Sequence, residues 1–422
     1  MTTKPTPPIT VFEHEIVRYD HGQKKITRDQ FEALERFHGS GVPYFKLVYK
    51  GVQFNEYVGV IQVGDTVIEV LPKADKHDAN EKLWRERLIG MLKAVGQFDV
   101  KSPGSGHLKI KSNSILDLYF ELFVNEVEYL LHTGLVKRYR QREGNVTALK
   151  GSLQFGKHLQ QNLIHHERFY VRHTHYDVHH QLNAILYKAV KLLSRINRNS
   201  DLQSRIGALM LNFPEMQDLK VYESTFEKII YTRKNQHYQN AISIARMLLL
   251  QFHPDLSKGR NDVLALMFDM NVLWEKFVLA SLRKYNPDKA TIADQTSKYF
   301  WKPDKGNRSS IKPDIYITKD TMKIVLDTKW KNLNGRNPSP EDLRQMYVYH
   351  EYYGAGKVAL VYPGAEDTIN GGQYIKYSDG FDKYCSVITI APAATISEWQ
   401  QHIARQISKF IKLAKSGVKS DS

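Results

Sequence analysis

Apolar positions along this chain follow two rhythms, one of about two residues and one near 3.6. Residues 10–17 read as a strand. A helix follows, opened by Thr27 with Gln30 completing a capping box and closed at Gly39. Two or three strands fit residues 44–70, and a helix fits 81–95. Ser114 caps a long helix with apolar residues at Ile115, Leu118, Tyr119, Leu122, Phe123, Val127, Leu130 and Leu131, ended by Gly134. Further helices fit 181–196, 239–252 and 397–414. Between the last two lie an amphipathic helix beginning near Met270, strands at 314–318 and 322–329, and a helix over 340–353. That helix has Ser339 at its N-cap, Pro340 at the first position and Gly354 at its end, and a strand follows at 357–362.

Breaks in the pattern divide the chain. Residues 1–8 form a Pro/Thr tail expected to be disordered, and 75–79 are a polar linker. Ser102, Pro103, Gly104, Ser105 and Gly106 make the clearest loop, and a break at 254–258 precedes the last region. The expected organisation is an α/β multidomain chain. It has a mixed α+β domain at 9–100, a mainly helical middle domain at 101–255 and an α/β domain at 256–422.

Charge sits where the apolar pattern makes it costly. Asp314 follows Pro313, and Asp327, Thr328 and Lys329 end the apolar run Ile324, Val325, Leu326. A turn centred between Asp320 and Thr321 pairs the two strands as a hairpin and sets Asp314 opposite Asp327. Opposed residues have Cβ atoms roughly 4.5–5.5 Å apart, and Asp327 and Lys329 share one strand face. Two carboxylates so placed suit a hard divalent ion such as Mg²⁺, which polarises phosphate and lowers the pKa of a bound water. Lys329 then has two open roles: to orient or deprotonate that water, or to stabilise charge on the transition state. Gln345 and Tyr349 lie four apart on one face of the following helix.

These features resemble the PD-(D/E)xK nuclease superfamily at Pro313-Asp314, Asp327-Thr328-Lys329 and Gln345 with Tyr349. The resemblance implies a restriction-endonuclease-like C-terminal domain with Asp314, Asp327 and Lys329 as its metal-binding and catalytic set. Gln345 and Tyr349 would help bind substrate, and Glu275, on the leading helix, would join the site. Residues 57–65 and 68–73 resemble the N-terminal strand pair of the McrC family. Residues 149–155 and 176–186 resemble that family's middle region. This resemblance implies a Mg²⁺-dependent endonuclease subunit of a modification-dependent restriction system, with Mn²⁺ able to substitute. The expected partners are double-stranded DNA carrying modified cytosine and a GTP-hydrolysing AAA+ oligomer of the McrB kind. The first domain would dock on that oligomer, and a dimer of the nuclease domain is left open. Two other readings stand beside it: a non-catalytic subunit that binds DNA and stimulates the partner's NTPase, and a stand-alone repair or structure-specific nuclease.

The net charge of +15 favours an anionic partner, nucleic acid before an acidic membrane. No apolar run is long enough to span a bilayer. The single cysteine, Cys385, excludes an internal disulfide and fits a cytoplasmic protein. Lys298, Lys302, Lys305, Arg308 and Lys312 lead into Asp314, and with Lys331 and Arg344 they are the cations expected to face DNA. The interleaved Tyr299, Phe300 and Trp301 fit either base stacking or a core strand. The basic run Lys137, Arg138, Arg140, Arg142 is equally a phosphate contact or a solvated face. The histidines at 158, 165, 166, 173, 175, 179 and 180 match no zinc-ligand spacing. Gly354, Ala355, Gly356 and Lys357 fail the phosphate-loop pattern because Glu351 and Val358 stand where Gly and Ser/Thr belong. Nucleotide binding is therefore expected of a partner and not of this chain.

Overall fold

The computed structural model describes residues 8–73, 80–96, 114–254, 262–286, 289–294, 296–333, 335–375 and 382–413. Of the segments expected from sequence, residues 1–7 of the tail, the 75–79 linker, the loop from Ser102 to Gly106, residues 255–258 and Ala414 lie outside these. Among the described residues no helix is long and apolar enough to cross a membrane.

The chain forms two compact units, and they are not consecutive in sequence. One contains residues 100–254. The other joins 8–99 to 255–422. The expected domains at 9–100 and 256–422 therefore fall, up to residue 99 of the first, in one unit. The reason is a sheet. Strand Tyr57–Val63 pairs with Thr66–Leu71 on one side and antiparallel with Val263–Asp269 on the other. Strand Ile9–Phe12 extends the sheet in parallel beside Thr66–Leu71. Ile61, Val63 and Val70 share a core with Val263, Ala265 and the face of helix Arg28–Gly39 carrying Leu34 and Phe37. Gly59 sits where the paired backbone comes closest: its φ is +136°, and a Cβ there would lie 2.1 Å from the Leu266 carbonyl oxygen. The strands from 57 to 71 are thus core of a unit shared with the C-terminal region, and not of a domain separate from it. The expected strand over 10–17 is two, Ile9–Phe12 and Ile16–Arg18, broken where His14 takes φ 67°.

The same unit holds a six-stranded mixed sheet in the order Thr291–Asp294, Ile315–Lys319, Met322–Thr328, Lys357–Pro363, Tyr384–Ile390, Thr368–Gln373. The hairpin forms in the expected register, with Ile315 opposite Leu326 and Asp320 in the turn at φ 52°. Met322–Thr328 then runs parallel to Lys357–Pro363, so helix Pro340–Tyr353 is the crossover between them. Its Ser339 side chain accepts from the Asp342 amide at 3.1 Å, and Gly354 ends it in the left-handed region. The helix covers one face, packing Met346, Tyr349 and Tyr353 on Val325, Val358 and Leu360. Helices Met270–Tyr285 and Ile396–Lys412 pack together and against the sheet, through the rings of Trp274, Phe277 and Trp399.

The other unit packs helices Ile115–Thr133, Gln181–Ile196, Ser200–Asn212 and Gln239–Leu250. It is less helical than expected, because Arg138–Val146 and Phe169–Asp177 form a long antiparallel ribbon joined by Ser152–Leu153. The basic run lies on this ribbon, where Arg140 pairs with Asp177 at 2.6 Å.

Candidate active site

Strand alternation builds the site. Residues 325, 327 and 329 share a face. Val325 packs under helix Pro340–Tyr353, so Asp327 is directed at the same helix. There Gln345 Nε2 donates to Asp327 Oδ1 at 3.2 Å and to Tyr349 Oη at 2.9 Å. Tyr349 in turn donates to the Lys312 carbonyl at 2.9 Å, two residues before Asp314. Asp314 continues the hairpin register opposite Asp327, and its Oδ2 accepts from the Thr328 amide at 2.7 Å and the Thr328 hydroxyl at 2.9 Å. Lys329 Nζ lies 2.8 Å from Asp327 Oδ2. Its own amide donates to the Val361 carbonyl at 3.0 Å, which holds the strand end against its parallel neighbour.

The electrostatics of this cluster are set by burial. Asp327 is only 1% exposed. Desolvation, and next the Asp314 charge, push its carboxyl up to about 7, against the opposing pull of Lys329. Oδ2 is fully buried, and its partner is the Lys329 ammonium at 2.8 Å. For Lys329, burial acts to lower the pKa, but the Asp327 charge and hydrogen bond outweigh it and the net shift is upward. The lysine is therefore a held cation at neutral pH.

Of the residues expected at the site, the structure brings together Asp314, Asp327, Lys329, Gln345 and Tyr349. Glu275 is half-buried on helix Met270–Tyr285, next to Trp274. Among the described residues there is no group of three or more His, Cys, Asp or Glu side chains placed to hold a metal. Lys302, Lys305, Arg308, Lys312 and Arg344 are exposed. Lys298 is exposed and donates to the Tyr352 carbonyl at 2.9 Å. Lys331 is committed to Asp342 at 2.6 Å.

Sequence reasoning passed over Thr328, which anchors Asp314, and the support behind Lys329. The next residue, Trp330, is held from three sides. Its amide donates to Asn271 Oδ1 at 3.1 Å, its indole donates to Glu13 Oε1 at 2.8 Å, and its ring meets Trp274 and Trp84 edge-on at 5.5 and 6.4 Å. Glu13 also accepts from the Lys73 amide at 2.6 Å. No local signal marks Glu13, because its partner lies 317 positions away.

Burial raises the Glu13 carboxyl to about 7 from an ordinary 4.5. Between these values the folded chain keeps a proton that the unfolded chain has lost, so Glu13 makes stability fall as pH rises through that window. Glu13→Gln should remove this dependence, a difference on the order of 3 kcal/mol at full shift. Thermal melts in metal-free buffer from pH 5 to 8 check it. Parallel slopes for variant and parent would show that Glu13 does not titrate there.

Comparison with known proteins agrees with this architecture. The sequence model of the McrBC 5-methylcytosine restriction system component family matches residues 52–363. No curated protein matches the chain in sequence. Among solved structures, the chain is similar to a refined half-complex from the tetradecameric assembly of Thermococcus gammatolerans McrB AAA+ hexamers with bound McrC. That match has TM-score 0.72 and 20% identity, and covers 96% of this chain and 100% of the other. A second similar structure, the cryo-EM structure of the Thermococcus gammatolerans McrBC complex, matches with TM-score 0.52 and 19% identity over 66% of this chain and 88% of the other. A family match across the shared sheet, the middle unit and the carboxylate hairpin makes the chain a member of the McrBC restriction-system family, of the McrC kind.

Proposed function

We propose that this chain is a Mg²⁺-dependent DNA endonuclease subunit with a PD-(D/E)xK nuclease domain. It would cleave double-stranded DNA carrying modified cytosine when assembled with an McrB-like AAA+ GTPase. One observation carries the chemistry: Asp327, a buried carboxylate whose carboxyl is pushed up by desolvation and by the Asp314 charge, is gathered with that second carboxylate and with Lys329 at 2.8 Å. Two carboxylates brought together with one of them out of water are costly, and a divalent cation held by both offsets that cost. Asp314 and Asp327 would hold Mg²⁺, or Mn²⁺ in its place. The bound ion would supply charge to the phosphate and a water of lowered pKa.

The chain's own residues do the positioning. Gln345 fixes the Asp327 carboxylate through Oδ1. The line from Gln345 through Tyr349 to the Lys312 carbonyl ties it to the segment bearing Asp314. Lys329, held protonated by Asp327, acts as a cation toward the phosphate and not as the base. The fold shared with a chain of McrB AAA+ hexamer complexes supports a motor partner, and the failed phosphate-loop pattern at Gly354 to Lys357 leaves GTP hydrolysis to that partner. The net charge of +15 supports DNA as the substrate.

Lys329→Ala separates these roles. Because a protonated lysine donates no ligand, Mn²⁺ affinity by calorimetry should stay within a few-fold. Cleavage of methylated plasmid by the assembled complex should fall roughly 10²–10³-fold, the scale for losing one aligned charge donor. Unchanged cleavage would remove Lys329 from the chemistry. Joint loss of metal binding and cleavage would make it structural.

A further inference from the structure

Lys298–Trp301 and Ser309–Ile311 form a two-stranded sheet of their own, apart from the six-stranded one. Three aromatics run in succession on it. Tyr299, Phe300 and Trp301 are 68, 43 and 57% exposed, which rules out a core strand. A register shift between Tyr299 and Trp301 bulges the strand at Phe300. The arm is tied to the helix that carries Gln345: Phe300 meets Tyr352 edge-on at 6.1 Å, and Lys298 donates to the Tyr352 carbonyl. Its second strand runs through Lys312 and Pro313 straight into Asp314. The stretch from 298 to 312 contains five cations, Lys298, Lys302, Lys305, Arg308 and Lys312, against one acid, Asp304.

We propose that this arm stacks on DNA bases that have left the duplex stack, in an unpaired or opened stretch next to the phosphate to be cut. The proposal rests on the nuclease reading above and adds the form of DNA engaged. In B-form duplex the base faces are covered and only the edges show in the grooves. An exposed aromatic row therefore finds a matching surface only where a base is unpaired, flipped or wedged apart. The surrounding cations select a polyanion with such faces, which is the combination that single-stranded nucleic acid presents. Arg308 lies over the Tyr299 ring at 5.6 Å, so charge and aromatic face are presented together.

The chain has five tryptophans, and Trp84, Trp274, Trp330 and Trp399 are at most 7% exposed. Acrylamide quenching of intrinsic fluorescence therefore reads Trp301. The full chain is titrated in EDTA, where no cleavage intervenes, with labelled oligothymidine and with a blunt duplex of equal length. Anisotropy is followed alongside quenching. The expected result is that the single strand binds more tightly and shields Trp301 from acrylamide. Tyr299→Ala with Trp301→Ala should lose roughly tenfold or more in single-strand affinity, with duplex affinity little changed. Both replaced side chains are exposed, and a thermal melt confirms that the variant folds. Binding seen by anisotropy with Trp301 still accessible would overturn the proposal and leave the nuclease reading standing. Shielding of Trp301 by an AAA+ partner without DNA would make the arm a protein interface instead. Failure of the single strand to bind at low salt, whether or not the duplex binds, would likewise overturn the proposal, and the nuclease reading is decided separately by cleavage in the assembled complex.

Discussion

Asp327→Ala is expected to lower DNA cleavage by on the order of 10³-fold or more while the chain stays folded. The first half follows from position. Asp327 is the buried member of the carboxylate pair, gathered with Asp314 and Lys329. Removing it takes away a metal ligand, and metal-supplied charge stabilisation is several kcal/mol of barrier. The second half follows from energetics. The carboxylate is expensive to bury, as its raised pKa records. Alanine removes that cost. Lys329, which loses its partner, has a side chain 27% exposed and can turn to water, and Gln345 keeps Tyr349. Plasmid cleavage by the assembled complex, run beside a thermal melt of the isolated chain, measures both halves. Cleavage at the parent rate would remove Asp327 from the site. A collapsed melt would instead mark it as a structural residue, and Asp314→Ala would then be the cleaner test.

The second large effect concerns the chain's first hundred residues. A fragment beginning at residue 101 is expected not to fold its C-terminal unit. Strand Tyr57–Val63 lies between Thr66–Leu71 and Val263–Asp269. Its loss uncovers Val263, Leu264, Ala265 and Leu266, all at 3% exposure or less, and unpairs a full strand of backbone. Trp84 and Glu13, which hold Trp330 beside Lys329, go with it. Each buried aliphatic is worth about 1.5–3 kcal/mol, and a whole domain has only about 5–15 to lose. Far-ultraviolet circular dichroism with limited proteolysis of the fragment decides it. A cooperative melt near that of the full chain would show the C-terminal unit to be self-sufficient.

The local parts of this picture were legible in the sequence, and the distant parts were not. Ile315 to Thr328 carries its own turn and alternation, so the register that opposes Asp314 and Asp327 could be written down from spacing. Ser339-Pro340 and Gly354 bound the crossover helix by capping chemistry, and the spacing of Gln345 and Tyr349 put them on one face. The shared sheet was hidden because neither 57–63 nor 263–269 shows which strand it will pair with. Residues 9–100 looked like a domain because their local pattern is complete. The ribbon at Arg138–Val146 was hidden for the opposite reason: both its faces are largely exposed, so it lacks the apolar alternation that marks a strand. The aromatics at 299–301 were ambiguous because stacking surfaces and cores use the same side chains, and only exposure separates them. Glu13 and Trp330 meet through the fold alone.

The Tyr57–Val63 strand also fixes an order of events on the ribosome. Val63 pairs with Val263, so its partner is made 200 residues later. At about 5–20 residues per second in synthesis, the first strands wait roughly 10–40 s with one edge open. Closing so wide a loop is slow in any case. The intervening unit, 100–254, can complete itself first. For that interval the strand Tyr-Val-Gly-Val-Ile-Gln-Val is an unpaired, uncharged edge, the kind of segment that invites wrong partners. Yield of soluble protein should therefore respond to translation speed and to chaperones that shield nascent strands more than the stability of the finished fold would suggest.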